Sequence, residues 1–555
     1  DTETDGLNPI SDRIAGFSMY TYNENPAYIP INHDYFDYNM STDIASAFIS
    51  ALKKYNIKVI MHNARFDIRV FWNALGVKLD CHFDTMIAAK LLNENEPENG
   101  LKALWTKYGS KEGGKSLRYN ELFDKIKFTV LDPSRVVVYP ALDTLMTLEL
   151  YDFQTPYLDK DNPICKEKDL VDTASLFYDI EMPTIHTAVE MEQRGIALDV
   201  EYASRLEKEY TEKANTHKTY VQKRLMELMP QMKKNLSAYD LSKLSNPINL
   251  DSPQQLQIVF YKGLQIEIPP KKVSSKEGSV DAEVIKFIEE HYKEYSDIAG
   301  GIIEYKGYIK NLNTYITALP AQINPKTNRL HTSWNTIGAD TGRFSSREPN
   351  LQNIPSKNGD IRPMFIPSTG NVFIGCDYSA QEPRILADIT NDPVLVDNYL
   401  TGKDVYATLA SMAYKLPYDQ CTKDTVEGKK RRNHGKVLQL ALSYGMRENS
   451  LAQQLDISFD EASKIYNAFK ENLRVAFEYG ESAKRFCKAN GYVKTLWGRK
   501  RRFPHYTLPE FEVRGNLPPE KVKLITQTLK RTHYKNKANV ISELESKFGI
   551  MIVDN

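Results

Sequence analysis

Apolar and polar positions change their spacing in stages along the chain. Residues 1 to about 155 combine short β-branched runs, Val59-Ile60-Met61 and Arg135-Val136-Val137-Val138-Tyr139, with stretches of helical spacing such as Phe83 to Leu92. That alternation predicts a compact α/β domain, closed by the polar stretch Asp159 to Pro163. From about 170 to 320 the pattern is mostly helical, with charged residues alternating with apolar ones over Tyr178 to Met229 and again over Asp281 to Leu319. Pro247, Pro253, Pro269 and Pro270 break its middle. The charge runs read as solvated helix faces, and long Lys-rich helices also suit a clamp over a phosphate backbone. From about 323 the pattern predicts a strand over Arg329 to Asn335, then a loop rich in Thr, Gly, Ser, Pro and Asn. A second strand, Val372-Phe373-Ile374-Gly375-Cys376, is expected to end in Asp377, and helices follow from about Pro383 to Asn490. The sequence shows no internal repeat and no long low-complexity tract.

Composition narrows the class. The chain has 555 residues, 41% hydrophobic and 26% charged, which is globular and implies several domains. No apolar run approaches the ~18 residues of a spanning helix, so no membrane partner is expected. The opening Asp1-Thr2-Glu3-Thr4-Asp5-Gly6 is too acidic for a signal peptide and carries no initiating methionine. Lys+Arg and Asp+Glu are 72 each, so a nucleic-acid partner must be held by local basic patches. The five cysteines are scattered without a CxxC pair, which argues against zinc and disulfides and for a reducing, cytoplasmic compartment.

Acidic residues carry the first chemistry. Asp1 and Glu3 are two apart, so on a strand both side chains point to one face. Met61-His62-Asn63-Ala64-Arg65-Phe66-Asp67 follows a β-branched run, and Tyr139-Pro140-Ala141-Leu142-Asp143 puts Tyr139 and Asp143 on one face of any helix that begins there. Four acids converging at the end of a sheet repel one another unless hard divalent cations neutralise them. Two such cations a few Å apart activate a water and stabilise the leaving oxygen of a phosphodiester.

Further along, Thr341-Gly342-Arg343-Phe344-Ser345-Ser346-Arg347-Glu348-Pro349-Asn350-Leu351-Gln352-Asn353-Ile354-Pro355 is long and polar for an idle loop, and suits a groove that holds a nucleic-acid backbone. Asp377-Tyr378-Ser379-Ala380-Gln381-Glu382-Pro383-Arg384 puts an acid at a strand's end, with Glu382 about one turn beyond. In Lys429 to Gly445, Arg432, Lys436, Leu440 and Tyr444 are spaced by four and form one stripe on a helix. Its start is cationic, its middle apolar and its end aromatic, an order that suits a triphosphate, then a sugar and a base.

The order DxE, NxxFD, YxxxD resembles the DEDDy 3′–5′ exonucleases of the proofreading type. The later segments, with Ile323-Asn324-Pro325-Lys326-Thr327 and Gly491-Tyr492-Val493-Lys494-Thr495-Leu496-Trp497-Gly498-Arg499, resemble family A DNA polymerases of the bacterial polymerase I and phage type. The resemblance implies a ribonuclease H-like α/β exonuclease domain at 1–155, a linker and thumb at 156–322 and the first part of the palm at 323–390. Fingers are expected at 391–490, and a return to the palm with an insertion at 491–555. The polymerase would be a right hand of α+β class, mainly helical. In the exonuclease, Asp1, Glu3, Asp67 and Asp143 would be metal ligands and Tyr139 would orient the attacking water, while Asp84 reads as structural and His62 and Asn63 as supporting contacts. In the polymerase, Asp377 would be the first metal ligand, helped by the backbone carbonyl of Tyr378, and Glu382 the steric gate against a ribose 2′-hydroxyl. Arg432 and Lys436 would hold the triphosphate, Lys436 also protonating pyrophosphate, and Tyr444 would pack near the templating base. Arg343 would contact the minor groove, and Asn350, Gln352 and Asn353 the backbone and base edges. Mg2+ is the implied cofactor, two ions per site, with Mn2+ an alternative. Primer–template DNA and dNTPs are the implied partners.

The sequence departs from the family pattern at four places. Leu440 replaces an aromatic residue against the sugar, Ala380 replaces a Gln, and Tyr406 replaces a His. No His-Asp-Glu segment supplies a second polymerase acid, and Asp554 in Met551-Ile552-Val553-Asp554 is a weak substitute. The chain therefore reads as cut at both ends, with 505–555 an insertion. The alternative is a chain active only as a 3′–5′ exonuclease, with an extension-deficient DNA-binding module. High Tyr, Lys and Asn usage leans towards a phage or prophage source.

Overall fold

The chain opens on a polar strand, Thr2-Glu3-Thr4, laid against one that is buried on both faces from Ile14 to Ser18. In the computed structural model, β1 (Thr2–Thr4), β2 (Ile14–Met19) and β3 (Ala27–Pro30) form an antiparallel sheet in that order. The structure describes all residues except 35–36, 110–117, 268–277, 356–358, 456, 505–510, 516, 532–536 and 555. Glu3 pairs with Gly16 and Thr2 with Phe17, and the register slips between Glu3 and Thr4. A Cβ on Gly16 would lie 2.4 Å from the carbonyl oxygen of Ile29, so only glycine lets β2 and β3 approach there. β4 (Ile60–Met61) and β5 (Phe83–Asp84) pair in parallel, as the crossover of a βαβ unit requires. Between them the chain turns through Asn63, at φ 64°, into the helix Ala64–Leu75. Asp84 accepts hydrogen bonds from the backbone N–H groups of Asn63, Ala64, Met86 and Ile87, and so caps the starts of both flanking helices.

The β-branched run Arg135–Tyr139 is not the expected strand. It lies in the helices Pro133–Val136 and Val138–Leu158. Asp132 receives the Ser134 N–H and Pro133 sits at the first helical position, and those start signals override strand propensity.

Contact grouping divides the chain into two units. One holds Asp1–Ala89, Glu98–Pro156 and Phe177–Phe373, and the other Lys90–Pro97, Tyr157–Leu176 and Ile374–Asn555. Within the first, the helix Met182–Arg194 buries Met182, Ile185, Ala188, Val189 and Glu192. Its buried acid has matching partners. Glu192 pairs with Arg65 at 2.7 Å and with Arg69 at 2.9 Å, and accepts the Trp334 backbone N–H at 2.6 Å. The long helix Val200–Met232 packs on Ser296–Asn311, which packs in turn on Ala282–His291, around a core that includes Val221, Leu225, Val284 and Ile302. β6 (Ala197–Leu198) pairs with the later Phe365–Ile366 strand, and β7 (Ser333–Asn335) with β8 (Ser345–Arg347).

The second unit is mainly helical. Among the described residues, seven α-helices from Gln381–Thr390 to Arg474–Asn490 share a core built on Leu395, Leu409, Leu438 and Phe469. Residues 511–554 make a closed excursion. The strand Phe511–Arg514 pairs with Met551–Asp554, so its ends meet, and the intervening helices Pro519–Arg531 and Lys537–Phe548 bury Ile525 and Leu529 against Ile550 and Ile552. The expected strand Val372–Cys376 does not form: Val372 is 79% and Ile374 86% exposed. A strand exists only when its N–H and C=O groups find a ladder, and no described segment pairs with this one. Among the described residues no helix is long and apolar enough to cross a membrane.

Glu192→Ala should leave two buried guanidinium groups without their acid, a loss of about 3–5 kcal/mol. Glu190→Ala removes only the half-exposed partner of Lys78 and should cost under about 1 kcal/mol. Urea unfolding of the two variants, followed by tryptophan fluorescence, measures the contrast.

Candidate functional site

Strand alternation aims Asp1 and Glu3 at one face of β1 and Thr2 at the other. Tyr139 and Asp143 come from the first turns of the Val138–Leu158 helix. Carboxylate oxygens of Asp1, Glu3 and Asp143 lie within 4.8 Å of one another. Asp67, 2% exposed on the Ala64–Leu75 helix, stands beside this group but turns Oδ1 to Thr2, which donates its backbone N–H at 3.1 Å and its hydroxyl at 2.6 Å. The sequence-predicted set is thus brought together as three converging acids, a fourth braced next to them, and the phenol.

Electrostatics mark the cluster as short of positive charge. Desolvation and the neighbouring Asp143 carboxylate push Glu3 up to about 8. Burial also raises Asp67 and Asp143, and raises the Tyr139 phenol with help from the Asp143 and Glu3 charges. Asp143 Oδ1 is buried without a hydrogen-bond partner. An orphaned carboxylate oxygen among hard oxygen donors at this spacing fits a divalent cation of the Mg2+ or Mn2+ kind.

Sequence reasoning missed Lys102. Its ammonium lies 3.2 Å from Asp143 Oδ2 and 3.7 Å from the centroid of the Tyr139 ring, with the side chain 14% exposed. No spacing rule links it to a partner 41 positions away; the available signal was a lone lysine among Leu101, Ala103 and Leu104. His62 helps to hold the preceding turn. Its Nδ1 lies 2.8 Å from Thr85 Oγ1 and its Nε2 3.1 Å from the Asn99 carbonyl oxygen, and burial lowers its pKa so that the ring stays neutral.

The second set of residues falls in both units. In the first, Asn350 Oδ1 accepts from Ser346 Oγ and the Gln352 N–H, while Gln352 accepts the Ser346 N–H and donates to the Phe344 carbonyl. Both side chains brace the loop after β8. Arg343 and Asn353 are exposed on that same segment, and the Asn353 carbonyl accepts the Tyr315 hydroxyl.

In the second unit, Asp377 and Tyr378 lie in the exposed segment ahead of the Gln381–Thr390 helix, which Ala380 enters at φ 50° and whose exposed face carries Glu382. Asp377 belongs to no group of three metal-ligand side chains among the described residues. The Val426–Tyr444 helix starts at a Thr425 cap and ends at Gly445. Arg432 donates to Asp404 Oδ2 at 2.8 Å and stacks 5.0 Å from the Tyr406 ring. Lys436, Leu440 and Tyr444 continue outward along the same stripe and are exposed. Gly435 makes this contact possible, because a Cβ there would lie 2.0 Å from the Tyr406 carbonyl oxygen.

The raised Glu3 has a testable sign. Its ordinary value is 4.5, so between 4.5 and about 8 the folded metal-free chain binds more protons than the unfolded one. Stability in EDTA is therefore present below this window and is lost as pH rises through it. Across the window Glu3→Gln should gain Tm relative to the unsubstituted chain; a pH-independent difference in Tm counts against this assignment.

The two sets of residues fall in separate family matches. Residues 1–159 match a 3′–5′ exonuclease family, and residues 215–528 match DNA polymerase family A. DNA polymerase I of Chloroflexus aurantiacus is 30% identical over 514 residues, covering 90% of this chain and 50% of that protein. DNA polymerase I of Pseudomonas aeruginosa is 28% identical over 522 residues, covering 91% and 52%. The chain thus spans about half the length of the curated relatives it matches. The solved POL domain of Pol1 from M. smegmatis, in complex with DNA primer-template and dNTP, superposes with a TM-score of 0.72 at 23% identity, over 91% of this chain and 78% of that one. At that identity the likeness speaks for the fold alone. The polymerase match takes in more than half of the 555 residues, and with the exonuclease match ahead of it the chain belongs to DNA polymerase family A.

Proposed function

We propose that this chain extends a primer on a DNA template and removes mispaired nucleotides from its 3′ end. The observation that carries the nuclease half is the convergence of Asp1, Glu3 and Asp143 around an orphaned, buried carboxylate oxygen, inside the segment that matches the exonuclease family. Asp1, Glu3, Asp67 and Asp143 would hold two Mg2+ ions, or Mn2+ in their place. When bound, such ions neutralise the carboxylates and the developing charge on the phosphate, and lower the pKa of a water. Tyr139 stands one helical turn from Asp143 with its phenol kept protonated, and so is fitted to orient the attacking water by donating or accepting one hydrogen bond.

The polymerase half rests on the family match and on the stripe along the Val426–Tyr444 helix. Asp377, with the Tyr378 carbonyl, would hold the metal at the primer end. Arg432 and Lys436 would bind the triphosphate, with Lys436 as proton donor to pyrophosphate, Leu440 would face the sugar and Tyr444 the template base. Glu382 would exclude a 2′-hydroxyl. Arg343 and Asn353 would meet the primer–template, while Asn350 and Gln352 act by holding the loop that carries them. The family match favours this reading over a chain with nuclease activity alone. The domain layout at 1–155, 156–322, 323–390, 391–490 and 491–555, and a cytoplasmic setting in a bacterial or phage-infected cell, are part of the same proposal. The relatives named above are bacterial, and the case for a phage source stays with composition.

A labelled primer–template with Mg2+ tests both halves. Extension with dNTPs and shortening without them are expected. Replacing Asp1 and Glu3 together by Ala should reduce shortening on the order of 100-fold or more, the effect of losing ~3 kcal/mol of charge stabilisation, and leave extension intact. Shortening with no extension under any dNTP concentration would return the nuclease-only reading. Arg432→Ala should raise the KM for dNTP on the order of tenfold, as loss of a charge-assisted phosphate contact predicts.

A further inference from the structure

The nuclease carboxylates already hold one cation, and it belongs to the chain. Lys102 Nζ sits 3.2 Å from Asp143 Oδ2, in a side chain only 14% exposed, while Asp143 Oδ1 has no partner. The same ammonium rests 3.7 Å from the face of the Tyr139 ring. The carboxylate oxygens attract a divalent ion, yet an ion that takes Asp143 Oδ2 meets an ammonium at that oxygen. A dication and an ammonium bound to one carboxylate oxygen repel each other strongly in a partly buried site. Lysine differs from arginine in having a compact charge on a flexible stem of four carbons, which can leave one acceptor for another without moving the backbone.

We propose that Lys102 is a positioning residue that serves as the resident counter-cation of the metal-free nuclease site, and that metal entry displaces its ammonium from Asp143. The Lys102–Asp143 pair keeps Asp143 from being driven off by Glu3, and the cation–π contact keeps Tyr139 beside it. Metal affinity is set by competition: each metal bound breaks one internal ion pair. This rests on the reading of the acids as a metal site.

Two measurements test the proposal on the full chain. In calorimetric titration with Mn2+, with Asp143→Asn as the baseline for binding elsewhere, Lys102→Met should bind the ion about tenfold tighter than the unsubstituted chain, within the range that groups behind metal ligands command. Lys102→Arg keeps the charge and should not gain affinity. In the unsubstituted chain, reductive methylation read by mass spectrometry should label Lys102 slowly in EDTA and at least several-fold faster with Mg2+. Equal or weaker Mn2+ binding by Lys102→Met, or labelling that ignores Mg2+, overturns the proposal. Should the unsubstituted chain bind Mn2+ no better than Asp143→Asn, it is the metal-site reading itself that falls. The labelling arm needs no substituted chain, so a folding defect in Lys102→Met does not leave the matter open.

Discussion

Mutual repulsion among carboxylates is the constraint around which the segment matched to the exonuclease family is arranged. Acids at this spacing in a partly desolvated pocket are stable only if protons, hydrogen-bond donors or cations offset their charge. All three are present. Glu3 is pushed towards its protonated form, Thr2 gives Asp67 two hydrogen bonds, and Lys102 gives Asp143 a cation. Asp84 illustrates the opposite use of the same chemistry. Its carboxylate is consumed by backbone donors at two helix starts, so it stabilises the fold and offers nothing to a ligand. Being an acid near a sheet end does not make a ligand; having lone pairs left over does.

The second unit follows a different logic. Arg432, Lys436, Leu440 and Tyr444 lie along one face of a single helix, and what fixes them is close packing on its hidden side. Gly435 lets the Val426–Tyr444 helix settle onto the backbone of Tyr406, and this brings Arg432 to Asp404 and to the Tyr406 ring. Asp404 also caps the helix that begins at Val405, so one aspartate both starts a helix and holds the guanidinium at a set height on the stripe.

What could be read from the sequence was set by distance along the chain. Features with a local rule were legible: the i, i+2 pair in β1, the i, i+4 pair of Tyr139 and Asp143, and the fourfold repeat from Arg432 to Tyr444. The helical stretches of 170–320 and 383–490 were legible too, because amphipathic periodicity accumulates over many residues. Partnerships between distant residues were not. Lys102 with Asp143, and Glu192 with Arg65 and Arg69, leave no periodic trace. Strand propensity misled twice, in opposite ways. At Arg135–Tyr139 local capping chose a helix, and at Val372–Cys376 no described neighbour offers a ladder, so Val372 and Ile374 are left exposed. The fold of 511–554 was hidden for a related reason: its core closes only when two strands some 40 residues apart pair.

The arginines on the Ala64–Leu75 helix bear on inheritance. That helix carries Asp67, yet the acid it requires, Glu192, lies beyond the last residue matched to the exonuclease family, and Glu192 is itself tied to the backbone of Trp334. By homology the nuclease ends at 159; by charge balance it ends where the last buried guanidinium finds its partner. A lineage that traded nuclease domains by recombination at the homology boundary would pass on two cations without their anion. The unit that such an exchange can transmit intact is therefore larger than the domain matched to the exonuclease family.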